Sequence, residues 1–236
     1  MTSSKPSRTG PFDRAFLTSG DDVTKIILVR HGEQDLRDGT TYAVGDTVDP
    51  VLSARGRSQA KLVGEYLKDR RIDAVYASPL IRAHETGKAI AQHHAAELVV
   101  LDDLQEVQLF RDAPQDRPLV EFLGQAHVRG LGDRMAREKR WDVYPLSESS
   151  FELRKRVVNV IEEIIAANPG QTVAVACHGG VINAYLAHIL NIDHDMFFRP
   201  GHASMNVVAA HDGVRAVHSL NDIRHLEAAE GDLVSY

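Results

Sequence analysis

Two histidines in this sequence are each followed at once by glycine. His31-Gly32 comes after the apolar run Ile26-Ile27-Leu28-Val29, and His178-Gly179-Gly180 comes after the apolar run Thr172 to Cys177. Arg30 precedes the first histidine, and Arg82 lies just past Ser78-Pro79, at the end of another short apolar run, Ala74 to Ala77. Two imidazoles and two guanidiniums placed at such ends suit a phosphoryl group. Guanidinium donates in a planar fork that matches phosphate oxygens. Glycine lets the backbone approach a ligand closely, and the amides of Gly179 and Gly180 at a helix start favour an anion. Nearby arginines also disfavour imidazolium, so a histidine with an ordinary pKa of about 6.5 is expected to be neutral at pH 7. A neutral imidazole can attack phosphorus. Covalent transfer to it divides a slow hydrolysis into two easier steps while the cations hold the equatorial oxygens.

These groups can meet only if the segments that carry them share one edge of the fold. Thr24 to Arg30 reads as a buried strand ending in a turn, as do Ala74 to Ala77, Leu98 to Leu101 and Thr172 to Cys177. Helical spacing follows each in turn: from the N-cap Ser53 to Leu67, from Ser78-Pro79 to about His94, and from His178 to about Leu190. Ser149 and Glu152 form a capping-box pair ahead of a long helix that closes at Asn168-Pro169-Gly170. Between Asp112 and Pro145 the chain is polar and Arg-rich around a helical patch, Leu119 to Val128. Met205 to Ala210 and Val214 to Leu220 read as a final strand pair joined at Asp212-Gly213. Strands that alternate with helices and are apolar on both faces predict an α/β fold, three-layer α/β/α with a mainly parallel central sheet. Ligands then bind outside the carboxyl ends of the strands, where both histidines fall.

The chain of 236 residues is 43% hydrophobic and 25% charged, an ordinary globular balance. Residues 1–22 read as a flexible N-terminal tail and 23–236 as a single domain. The net charge of −6 argues against a general nucleic-acid partner or an anionic-membrane binder. No stretch offers the roughly 18 uncharged apolar residues of a membrane span, and no secretory signal is evident, so the cytoplasm is the expected location. The single cysteine, Cys177, excludes an internal disulfide framework and reads as strand packing. A homodimer is compatible with the sequence.

The ordered set of motifs resembles the histidine phosphatase superfamily, also called the phosphoglycerate mutase-like family, from about Lys25 to Leu226. Arg30-His31-Gly32-Glu33 resembles its nucleophile motif. Asp49-Pro50-Val51-Leu52-Ser53 with Gly56, Gln59 and Ala60 is similar to the lead into its first helix. Ser78-Pro79-Leu80-Ile81-Arg82-Ala83-His84-Glu85-Thr86 is similar to its arginine motif, His178-Gly179-Gly180 to its second-histidine motif, and Asn221-Asp222 with His225-Leu226 to its ending. The resemblance implies a phosphoglycerate mutase-like fold and phosphorylation of His31. It also implies that Arg30, Arg82, His178 and the Gly179 amide bind the phosphoryl group, and that a carboxylic acid after the third strand protonates the leaving oxygen. Glu106 is the assigned acid, with Asp102 and Asp103 as competitors, because the family's glycine and aromatic residues are missing from Val107-Gln108-Leu109-Phe110. A second departure falls at Gln34 to Arg37, where Arg37 either supplies a donor or faces solvent.

The plainer readings are a structural histidine at position 31, a surface salt bridge at Arg82 and a solvated carboxylate at Glu106. His93, His94, His188, His194, His202, His211 and His218 lack the spacing of a metal site and read as surface or core packing. The basic stretch Arg129 to Arg140 reads as a solvated helix face and a candidate cover for the substrate. The expected function is hydrolysis of a phosphorylated small molecule through phosphohistidine, with neither metal nor cofactor. The alternatives are mutase-type phosphoryl transfer, disfavoured because the resemblance implies a longer insertion in mutases than the span from Glu106 to His178, and a non-catalytic binder of a phosphorylated ligand.

Overall fold

The computed structural model describes residues 10–20, 22–37 and 41–236. Six strands form one sheet: β1 (Thr24–Arg30), β2 (Ala74–Ala77), β3 (Leu98–Val100), β4 (Thr172–Cys177), β5 (Met205–His211) and β6 (Val214–Asp222). Their order is β3-β2-β4-β1-β5-β6. The first four are mutually parallel, while β5 runs antiparallel to β1 and β6 antiparallel to β5. The expected three layers are present. Ile26 and Leu28 of β1 face one apolar cluster with helices α7 (Ser150–Ala167) and α8 (Gly179–Ile189). The alternate residues Ile27 and Val29 face the other cluster, with α3 (Ala54–Leu67) and α4 (Ile81–Ala91). A strand covered on both sides has no polar face to show, which is why β1 and β4 carry no alternation.

Local signals place most helix ends. Ser53 caps α3 by accepting from the Gly56 amide, and Ser149 and Glu152 close the capping box of α7. The arginine-bearing helix differs from expectation. It begins at Ile81, because the Ile81 amide donates to Asp49 Oδ1 at 2.8 Å while Ser78-Pro79 remain in the turn before it. The patch around Leu119 is two helices, α5 (Leu119–Leu123) and α6 (Gln125–Glu138). Gly124 lies between them at φ 78°, a left-handed angle that interrupts the hydrogen-bond ladder. Short helices α1 (Pro11–Ala15), α2 (Val44–Thr47) and α9 (Arg224–Glu227) complete the described chain. Within the expected tail, residues 1–9 and 21 lie outside the described residues, and Leu17 packs with Val23, Ala209 and Ala216. No described helix is long and apolar enough to cross a membrane.

Candidate active site

The sheet register assembles the site. Arg30 of β1 lies opposite Cys177 of β4, so the residues that follow, His31 and His178, leave the sheet side by side. Ala77 of β2 lies opposite Ala176, which delivers Ser78 to the same edge. Three strand-end amides then anchor the crossing: His31 N donates to Cys177 O at 2.9 Å, Ser78 N to Ala176 O at 3.0 Å, and Arg30 N to Ser204 O at 3.1 Å. The turn after β1 presses on the first turn of α3 so closely that a Cβ on Gly32 would stand 2.3 Å from Gly56 O. Only glycine fits there.

The two imidazoles are 5.1 Å apart between ring centres and both are buried. His31 Nδ1 donates to Gly32 O at 2.7 Å, which leaves Nε2 as the lone-pair nitrogen, and Arg82 Nε donates to that Nε2 at 3.3 Å. Arginine is a donor only, so this contact requires a neutral ring. Burial, then the charges of His178, Arg82 and Arg30, hold the His31 pKa well below its ordinary value. Burial, with Arg82, Arg156 and Arg30, does the same for His178. Burial also lowers Arg30 to about 10, which leaves it charged at neutral pH.

Arg30 Nε and His178 Nδ1 are buried with no hydrogen-bond partner among the described residues. Their neighbours on the same side chains are fully engaged: Arg30 Nη1 donates to Pro200 O at 2.5 Å, Arg30 Nη2 meets His202 Nε2 at 2.9 Å, and His178 Nε2 meets Ser78 Oγ at 2.8 Å. An orphaned buried polar atom costs about 1–3 kcal/mol. Two of them in one cluster, with Arg30 Nε near Gly179 at the start of α8, suit an anion better than a finished core.

Glu106 approaches the same helix start. Its Oε1 and Oε2 accept from Gly180 N at 3.1 and 3.2 Å, and Oε1 also accepts from Val107 N at 3.0 Å. A Cβ on Gly180 would lie 2.2 Å from Oε1, so the approach depends on glycine. The loop bearing Glu106 is held from behind by Arg156, which donates to the carbonyls of Asp103, Gln105 and Glu106 at 2.7, 2.7 and 3.1 Å. Buried Glu148 accepts from Arg156 Nε at 2.6 Å and from Gln108 N at 3.1 Å. The competing carboxylates are exposed, in the 3-10 turn Asp102–Leu104.

A cavity of about 530 Å³ opens between Arg82 and Glu106, with Val44, Val48, Leu80, Leu109, Phe110 and Trp141 among its walls. Helix α6 sets only Leu131 into the core under this region, and its basic residues face outward. Arg37 is exposed and lies over the Tyr42 ring at 5.6 Å. Among the described residues no group of three or more His, Cys, Asp or Glu side chains could hold a metal ion.

The structure thus brings Arg30, His31, Arg82, Glu106, His178 and Gly179 into one cluster and adds residues that the sequence reading passed over. His202, expected to be ordinary packing, sits 5.8 Å from the His31 ring. It accepts from Arg30, and its Nδ1 meets Ser235 Oγ at 2.9 Å. Burial and the Arg30 charge drive its pKa down to about 3. No spacing rule finds it, because it arrives through the antiparallel pairing of β5 with β1. Ser78 had a signal in its strand-end position. Asp49, 3.5 Å from Arg82 Nη1, had one in the Asp-Pro break.

A fold and a cluster of this kind have known counterparts. The model of the histidine phosphatase superfamily (branch 1) matches residues 26–223. The chain belongs to that superfamily. It is 31% identical over 176 residues, 74% of its own length and 81% of the relative's, to a Bacillus subtilis protein named as the uncharacterized phosphatase PhoE. It is 29% identical to phosphoserine phosphatase 1 of Hydrogenobacter thermophilus, over 86% of this chain and 95% of that one. Among solved structures, YhfR of Bacillus stearothermophilus shares the fold with a TM-score of 0.73 at 20% identity, over 86% of this chain and 99% of that one. A mycobacterial glucosyl-3-phosphoglycerate phosphatase does so with a TM-score of 0.69 at 22% identity, over 84% and 99%. The named relatives are phosphatases, and this chain is an enzyme of that class.

Proposed function

We propose that the enzyme hydrolyses small phosphomonoesters through a phosphohistidine at His31. One observation carries the reading: the His31 Nε2 lone pair lies in the same cluster as the two orphaned polar atoms, Arg30 Nε and His178 Nδ1. In the first step His31 Nε2 forms a bond to phosphorus as the ester P–O bond breaks. Arg82 exchanges its contact with Nε2 for a phosphate oxygen, and Arg30, His178 and the Gly179 amide share the remaining charge. Glu106, protonated, gives its proton to the departing alkoxide. In the second step water attacks the phosphohistidine, the P–N bond breaks, and the Glu106 carboxylate takes the water proton. Fixed guanidiniums and amides supply the charge compensation in this reading, so no metal ion takes part. Phosphoserine phosphatase 1 among the relatives supports a small phosphorylated substrate.

Radiolabelled phosphate trapped on the enzyme, together with steady-state rates, tests the scheme. His31→Ala should abolish both the acid-labile label and turnover. Glu106→Gln should slow alkyl phosphates by ~10²–10⁴ while sparing aryl phosphates, whose leaving oxygen scarcely needs a proton. Label that persists in His31→Ala refutes the nucleophile. Interconversion of 2- and 3-phosphoglycerate without release of phosphate would point to a mutase instead. Tight binding of phosphorylated ligands with no turnover would point to a binding protein.

A further inference from the structure

We infer that the cavity beside Glu106 selects phosphomonoesters whose organic group is uncharged and apolar, and rejects esters that carry a carboxylate or an ammonium. The inference rests on the phosphatase reading above and adds the substrate class. It departs from what the relatives' names suggest, since phosphoserine carries an ammonium and a carboxylate.

The leaving oxygen must sit at Glu106, so the group attached to it extends into the cavity that Glu106 and Arg82 border. Its volume, about 530 Å³, suits a group larger than a single ring. Val48, Leu80, Val107, Leu109, Phe110 and Trp141 supply the apolar part of the walls, and Thr47, Gln105, Gln108 and Gln115 add uncharged polar groups.

The charge inventory decides the matter. Among the described residues the charged side chains on these walls are Arg82, Glu106 and Arg111. Arg82 contacts His31 Nε2 and Asp49 and, in the scheme above, turns from Nε2 to the phosphoryl oxygens. Arg111 is closed off by Glu152 at 2.9 Å and Asp112 at 3.5 Å. The Gln115 amide turns its donors to the carbonyls of Phe110 and Ala113. A substrate carboxylate would therefore lose its water against largely apolar walls and meet no uncommitted cation, the one unpartnered buried donor there being the neutral Trp141 Nε1. A substrate ammonium would find only Glu106, whose oxygens already accept from the Gly180 and Val107 amides. Burial of an unpaired charge is unfavourable, whereas each methylene gains from it.

The test is kcat/KM of the full chain on straight-chain primary alkyl phosphates from ethyl to hexyl, whose leaving oxygens have nearly equal basicity. The expected result is a rise of about fourfold per methylene. In the same assay O-phosphoserine and 3-phosphoglycerate should fall at least ~100-fold below 2-phenylethyl phosphate, which shares their primary alkyl oxygen. A flat alkyl series, or charged esters turned over as well as the neutral one, overturns the inference and leaves the phosphatase reading intact. No turnover of any ester overturns both.

Discussion

Gly180→Ala isolates the placement of Glu106, the proposed proton donor. The new Cβ would stand 2.2 Å from Glu106 Oε1 and 3.2 Å from its Cδ, against the 3.4 Å at which ordinary contact begins, so the carboxyl retreats by about 1.2 Å. It thereby loses the two contacts it now makes with the Gly180 amide, at 3.1 and 3.2 Å. Misplacement of a catalytic group by ~1 Å costs on the order of 10² in rate, or about 2.7 kcal/mol of transition-state stabilisation. The fold should not suffer, because alanine is favoured over glycine in a helix by up to ~1 kcal/mol and the next nearest atom, Trp141 Cζ2, is 3.5 Å away. The expected outcome is an unchanged or raised melting temperature with kcat/KM for an alkyl phosphate down about 100-fold. The loss on p-nitrophenyl phosphate should be several-fold at most, since that leaving group departs without a proton. Equal losses on both esters, or a normal alkyl rate in a folded variant, would refute the assignment of Glu106.

His202 and His225 are buried, with pKa values lowered mainly by burial to about 3 and about 4. As pH falls below about 6.5 the unfolded chain takes up protons that the folded chain refuses. Stability is therefore full well above that pH and drops towards a slope of about 1.4 kcal/mol per unit for each ring, or about 3 kcal/mol for both between pH 6.5 and 5. His31 and His178 act in the same direction. Urea unfolding at the two pH values checks this, and an unshifted midpoint contradicts it. His202→Ala removes the acceptor for Arg30 and should weaken inhibition by vanadate about tenfold, while His202→Asn, which retains an acceptor, keeps it; equal inhibition of all three proteins would show that Arg30 needs no such support. Arg156→Lys preserves the charge but cannot span three carbonyls and a carboxylate, so alkyl phosphate turnover should drop roughly tenfold with little effect on aryl phosphates. An equal loss on both classes would mean that Arg156 only stabilises the fold.

Much of the architecture could be read along the chain because its signals are local. Apolar runs of four and five residues, Ile26 to Val29 and Val173 to Cys177, mark β1 and β4, the Ser149–Glu152 pair marks the start of α7, and His31-Gly32 and His178-Gly179 sit at strand ends whatever the rest of the chain does. From these the sequence alone implied a mainly parallel sheet with both imidazoles at one edge. It could not place the start of α4, which depends on Asp49 reaching the Ile81 amide from 32 positions away. Nor could it distinguish Glu106 from Asp102 and Asp103, since that choice rests on which carboxyl arrives at Gly180 after Arg156 has gathered the loop. His202 had no legible signal at all. It meets Arg30 across 172 positions because β5 folds back along β1, and a partner chosen by strand pairing leaves no trace in the spacing of its neighbours. Local propensity thus determined what each segment is. Long-range pairing and burial decided which side chains meet in the candidate site and keep its buried imidazoles neutral.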